Sequence, residues 1–171
     1  MTRARLLTAA VAVGAATMIG GYLTESASAA TATANLGVSA TVTSNCTIST
    51  VALAFGNYDP VGANLAADLD SNGTVTVACT KGSTATIGLD LGGNASASVR
   101  RMTDGTDFLT YELYQDATHT TVWGNAGAGL LSPAAAPSKA PRNFTVYGRV
   151  QANQDVTAGN YSDTVLATVN F

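Results

Sequence analysis

An all-β sandwich is the fold expected of this chain of 171 residues. Three observations lead there. Glycine, alanine, threonine and valine dominate, and charged residues make up only 11%, so few surfaces are strongly solvated. Apolar residues recur at every second position in a series of short runs, the period of a half-buried strand. No segment carries the spacing of a strong amphipathic helix.

Residues 1–30 are expected to be a cleaved secretion signal. Arg3 and Arg5 form a basic start, residues 6–19 an apolar run, and Ala27, Ala29 and Ala30 a small-residue cleavage region. The run is shorter than the roughly twenty residues needed to span a bilayer. Residues 31–171 then suit one domain. Of the chain's 8 basic and 11 acidic residues the leader holds Arg3, Arg5 and Glu25, leaving 6 and 10. Charges this sparse offer neither a basic stripe for nucleic acid nor a polybasic patch for anionic lipid.

Residues 31–43 alternate most cleanly. Ala32, Ala34, Leu36, Val38, Ala40 and Val42 fall on one face, with Thr33, Asn35, Gly37, Ser39 and Thr41 between them. A strand at this position, with no partner before it, either folds back into its own sheet or completes the sheet of another molecule. Residues 46–48 and 51–55 read as a second, kinked strand, ended by turn chemistry at Gly56, Asn57, Asp59 and Pro60. Residues 63–72 read as loop. Strands follow at 74–79, 85–90, 97–102 and 108–115. Residues 124–142, rich in Gly, Ala and Pro, read as a long surface loop. Residues 144–150 and 161–171 close the series, giving seven or eight strands.

Cys46 and Cys79 are sent by the leader to an oxidising compartment, where a disulfide is the natural reading and two separate thiols the alternative. Closing that loop is worth about 3.5–4 kcal/mol in a chain-entropy model.

Several constellations could carry chemistry, and each has a plainer reading. Asp68, Asp70, Asn72 and Gly73 match the first half of a calcium loop, but Cys79 stands where the bidentate Glu belongs, so an ordinary turn is expected. His119, the one histidine, has no triad company and reads as a solvated turn residue. Asp104, Asp107, Glu112 and Asp116 could pair as glycosidase carboxylates but more simply solvate strand edges. Gly124, Gly127 and Gly129 do not sit between a strand and a helix, so no phosphate cradle follows. Asn45, Asn72, Asn94, Asn143 and Asn160 head chance sequons in a Ser/Thr-rich chain. No enzyme, metal or cofactor is expected.

The second half carries an ordered set of residues: Arg101-Met102, then Leu109, Tyr111, Leu113, Tyr114 and Asp116, then Thr121-Val122-Trp123-Gly124. The ending has Gly159, Tyr161, Asp163-Thr164-Val165, Thr168-Val169 and Phe171. With the two cysteines, this set resembles the spore coat protein U domain family, across essentially all of residues 31–171. That family includes subunits of archaic (Csu-type) chaperone–usher pili. The resemblance implies an incomplete immunoglobulin-like β-sandwich completed by donor-strand complementation. A periplasmic chaperone lends a strand, and at the outer-membrane usher the N-terminal strand of the next copy replaces it. On that basis residues 31–43 are the donor, with Leu36, Val38 and Val42 the largest anchors, and 44–171 the sandwich domain. Val165, Ala167, Val169 and Phe171 line the acceptor groove and meet the chaperone. The implied location is the periplasm and then the cell surface, with attachment and biofilm as the consequence. The alternative is a secreted or coat-associated monomeric binding module with residues 31–43 in its own sheet. Its exposed ligand candidates would be Tyr58, Trp123 and Tyr147.

Overall fold

The computed structural model describes residues 28–171. The expected leader falls almost wholly on residues 1–27, outside the described residues. The chain divides into two units at Ser39 and Ala40. Within the first, residues 28–39 carry no regular structure, and Leu36 and Val38 are each 88% exposed. The alternation of residues 31–43 is therefore not expressed as a strand in the single chain. A strand is a ladder of bonds to a neighbour, and no ladder is formed by these residues.

The second unit holds seven strands: β1 (Cys46–Val51), β2 (Leu69–Cys79), β3 (Thr86–Leu89), β4 (Arg100–Thr103), β5 (Phe108–Tyr114), β6 (Arg142–Val150) and β7 (Ala167–Asn170). One sheet has the order β1-β2-β6-β5-β4 and the other is β3-β7, all pairs antiparallel. The order β1-β2-β6-β5 and β3-β7 follows the A-B-E-D and C-F sheets of an immunoglobulin-type sandwich, with β4 added at the edge. The position beside β7, where the G strand of that order would lie, holds no strand among the described residues.

Alternation decides which side chains meet between the sheets. Val75, Val77 and Cys79 on β2, Leu109, Tyr111 and Leu113 on β5, and Val146 and Val150 on β6 are buried, facing Ile87 and Leu89 on β3. Trp123, with 0% exposure, closes the core and donates its Nε1–H to the Ile87 carbonyl at 2.9 Å. It is core, not a ligand surface. Cys46 and Cys79 sit directly opposite in the β1–β2 register and are disulfide-bonded.

Arg100 is the unexpected core residue, also at 0% exposure. Its guanidinium pairs with Glu112 and donates to the carbonyls of Leu89 (2.9 Å), Asp90 (2.9 and 2.6 Å) and Trp123 (2.8 Å). It thereby ties β4 to the end of β3, a segment that leaves its sheet with carbonyls to satisfy. A buried charge is tolerated only when fully bonded in this way.

Two features differ from the sequence reading, the start of β2 and the setting of His119. β2 begins at Leu69, inside the expected 63–72 loop, because Leu69–Asn72 pair with Tyr147–Val150 and the Asp70 carboxylate takes two bonds of 2.7 Å from Arg149. Asp68, Asp70 and Asn72 thus belong to a strand entry, not a turn. Residues 124–142 are the expected long surface loop, mostly exposed but pinned to the sheet. Leu131 exchanges backbone bonds with Ile87, and Ala136, buried, is tied to Gly82 and Ser83; this protects the outer edge of β3. His119 is not solvated: its side chain is 9% exposed, edge-on to the rings of Tyr114 and Tyr147, with Nε2 3.8 Å from Asp70.

Replacing Arg100 with alanine should cost about 3–5 kcal/mol, because one buried partner of the set is removed; urea unfolding measures it. Reducing the disulfide, or Cys46→Ser with Cys79→Ser, should cost about 3.5–4 kcal/mol. An unchanged melting temperature would contradict that. Arg149 holds the Asp70 carboxyl below its ordinary pKa, chiefly through the side-chain hydrogen bond. The stabilisation this gives is present above the unfolded value near ~3.9 and is lost as pH falls below it. Arg149→Ala should therefore narrow the difference in unfolding midpoint between pH 5 and pH 3.

Candidate functional site

The candidate site is the outer edge of β7 and the apolar groove beneath it. In the β3–β7 pair, Ile87 turns its N–H and C=O away from β7, to Leu131 at 2.9 and 3.0 Å, and Leu89 gives its N–H to the Gly124 carbonyl at 3.1 Å. Antiparallel ladders alternate bonded and non-bonded pairs, so β7 is held through Thr86 opposite Asn170 and Gly88 opposite Thr168. The Asp90 N–H continues the pattern to the Leu166 carbonyl at 3.1 Å. It follows that the backbone groups of Val165, Ala167 and Val169 point to the opposite edge, where they have no partner among the described residues. Their side chains are the half-buried, core-facing set of the strand.

Beside that edge lies a groove of about 890 Å³. One wall is residues 50–58, which leave β1 after Val51; the other is residues 156–165 and Ala167. Val75, Leu89, Leu109, Tyr111, Leu113, Val146 and Val150 form the floor. Leu53 and Phe55 can lie on the large sheet because the strands beneath present glycine. A Cβ on Gly148 would stand 2.6 Å from Leu53 Cδ1 and 2.9 Å from Phe55 Cζ, and one on Gly73 would stand 3.0 Å from Leu53 Cβ. Phe55 also meets Tyr111 edge-on, with ring centroids 6.1 Å apart.

Polar bonds fix both walls. The Tyr58 hydroxyl donates to the Gln151 carbonyl at 3.0 Å and accepts from the Gln154 N–H at 2.9 Å. The Tyr111 hydroxyl donates to Asp163 Oδ2 at 2.7 Å, while Asp163 Oδ1 accepts from the Asn94 backbone and side chain. Desolvation first, and then the Asp163 carboxylate, raise the Tyr111 hydroxyl far above the ordinary tyrosine value. It is a permanent donor, anchoring residues 161–166, of which only Ser162 is bridged to a strand, at Thr103. The expected final strand 161–171 is accordingly continuous only over Ala167–Asn170.

Of the four residues expected along the acceptor strand, Val165 and Ala167 line the groove and Val169 packs against the core. Phe171 does not reach the groove. It is 57% exposed at the other end of the sandwich, with Val42, Ser44 and residues 80–84 around a shallow hollow of about 490 Å³. Among the expected donor residues, Leu36, Val38 and Val42 are exposed, as are Ala32, Ala34 and Ala40. Leu53, Phe55, Val156 and Tyr161, all groove-lining, were not anticipated as such. Leu53 and Phe55 do show in the alternation of residues 51–55, which reads as an ordinary strand until the glycines beneath it are seen.

The carboxylates have structural work. Glu112 pairs with Arg100, Asp104 and Asp107 accept backbone N–H groups of residues 106–108 and 157, and Asp116 gathers bonds from Thr118, Thr120 and Thr121. Among the described residues no group of His, Cys, Asp and Glu is placed to hold a metal ion. What the arrangement can do is accept one extended chain: backbone bonds along β7 and alternate apolar side chains into the groove.

Comparison with known proteins places this geometry. The profile of a family described as the Spore Coat Protein U domain matches residues 32–168. Protein U of Myxococcus xanthus is 42% identical over 179 aligned residues, covering 96% of this chain and 97% of that protein. A similar solved structure is the CsuC–CsuE chaperone–tip adhesion subunit pre-assembly complex from the archaic chaperone-usher Csu pili of Acinetobacter baumannii. It matches with a TM-score of 0.56 and 24% identity over 77% of this chain. The match spans only 41% of the solved chain, and at that identity the likeness is one of fold.

Two substitutions probe the groove. Gly148→Ala should displace Leu53 and Phe55 and destabilise by about 1–3 kcal/mol; thermal melting checks it. Tyr111→Phe removes the donor to Asp163 and should cost about 1–3 kcal/mol. Limited proteolysis should then cut first within residues 156–166.

Proposed function

The chain belongs to the spore coat protein U domain family, and from that premise we propose that it is a structural subunit of an archaic chaperone–usher pilus, polymerising by donor-strand exchange. The observation that carries this reading is the edge of β7: unpaired backbone groups at Val165, Ala167 and Val169 above an apolar groove. Such an edge is an aggregation hazard unless something covers it. The proposed covers are, in turn, a strand lent by a periplasmic chaperone and residues 31–43 of the next copy, delivered at an outer-membrane usher. The solved relative of the same fold is a subunit held by its chaperone, which supports the first step.

In this scheme residues 1–30 are removed on export, residues 31–43 are the donor strand, and 44–171 the domain that receives one. Ala32, Ala34, Leu36, Val38, Ala40 and Val42 enter the groove. Burying Leu36, Val38 and Val42 is worth roughly 1.5–3 kcal/mol each, to which the alanines and a ladder of backbone bonds add. A single domain carrying its own donor suits a repeating shaft subunit, with surface attachment and biofilm formation as its service. No catalytic role is assigned.

The test is the mass distribution of the exported chain, with and without residues 31–42. SDS-resistant ladders that disappear with the deletion are expected. A stable monomer that keeps residues 31–43 protected from protease would replace the polymer with a self-contained binding module.

A further inference from the structure

The strand registers define two ends of the sandwich. Cys46 opposite Cys79, Val77 opposite Arg142 and Thr86 opposite Asn170 mark one end; Leu69 opposite Val150 and Thr103 opposite Phe108 mark the other. The first carries Lys81, Lys139 and Arg142. Residues 42–46, 79–86, 132–145 and 168–171, which build it, contain no acidic side chain. The second carries Asp59, Asp104, Asp107 and Asp155. Of its bases, Arg149 is paired with Asp68 and Asp70; Arg101, stacked 3.9 Å over the Phe108 ring, keeps its charge, so the four carboxylates face one uncompensated base.

On the donor-strand reading above, we propose that successive copies of this chain dock end to end, the basic end of one against the acidic end of the next. The N-terminal segment leaves at the basic end. Thr80 Oγ1 donates to the Thr43 carbonyl at 3.2 Å and accepts the Asn45 N–H at 3.1 Å, and the Ser44 and Ser83 hydroxyls meet at 2.8 Å. The groove opens at the acidic end, where Tyr58, Pro60 and residues 156–160 line it. A donor antiparallel to β7 places Val42 at that mouth. Thr43 is already tied down, so only a residue or two, at roughly 3.3–3.6 Å each, separates the two bodies. A donor parallel to β7 would instead bring one basic end against another. Charge therefore selects the antiparallel direction, which also has the slightly stronger ladder. Opposite fields of this kind raise encounter rates and reject the wrong orientation. Each end also offers an exposed apolar residue to the contact: Val61, 87% exposed, at the acidic end and Phe171 at the basic end.

The test uses charges that take no part in the internal bonding. The full chain, exported and purified, is followed by light scattering as it polymerises at low and at physiological ionic strength. Wild type should slow as salt rises. Lys81→Glu with Lys139→Glu should slow polymerisation on the order of tenfold at low salt, and adding Asp155→Lys to that pair should recover much of the rate. Matching melting temperatures confirm that the variants fold. SDS-resistant ladders that form at a rate indifferent to both salt and charge reversal overturn the end-to-end docking while leaving the donor strand intact. Absence of ladders from wild type overturns the donor strand itself, and this inference with it.

Discussion

A β-strand presents hydrogen-bonding groups along both edges, and each buried group left unpaired costs free energy. β7 satisfies one edge through Thr86, Gly88 and Asp90 and leaves the other, at Val165, Ala167 and Val169, without a partner among the described residues. Much of the rest of the domain can be read from that deficit. The large sheet is closed into a core by Val75, Val77, Tyr111 and Val150, and the outer edge of β3 is covered by the 124–142 segment through Leu131. The disulfide fixes β1 to β2. The edge of β7 above the groove has no partner among the described residues, and its chemistry is that of a missing strand.

The groove depends on a few particular residues. Gly73 and Gly148 let Leu53 and Phe55 lie flat against the sheet, so residues 50–58 can form a wall without belonging to a ladder. Opposite, residues 161–166 are held by side chains, chiefly Asp163 between Tyr111 and Asn94, and by two bonds each with Thr103 and Asp90 and one with Gly93. These bonds fall on Ser162, Thr164 and Leu166 and leave the backbone groups of Val165 free for an incoming strand. Arg100 has a comparable role deeper in the molecule, gathering the carbonyls of Leu89, Asp90 and Trp123 where the chain turns out of β3.

The fold was legible in the sequence because period-two alternation survives wherever a strand has one buried face, as at residues 74–79, 108–115 and 144–150. It misled where local pattern and pairing part company. Residues 31–43 alternate perfectly yet form no strand, since alternation prepares a face and cannot supply a partner. Leu69–Asn72 look like turn residues yet pair, because Arg149 across the strand neutralises Asp70. The groove was half legible: Val165 and Ala167 follow from alternation in the last strand. Leu53, Phe55, Val156 and Tyr161 depend on how distant segments cross, and local period does not encode crossing. Arg100 and His119 were hidden for the same reason; a lone charge or imidazole is read as solvated until its buried partners are known.

The free edge of β7 is best tested by amide hydrogen exchange on the domain lacking residues 31–43, with and without a synthetic peptide of residues 31–43. The account predicts fast exchange at Val165, Ala167 and Val169 in the domain alone and strong protection of those three amides once the peptide is added, with Thr168 and Asn170 protected throughout. Protection of Val165, Ala167 and Val169 before the peptide arrives, or no change on its addition, would contradict it.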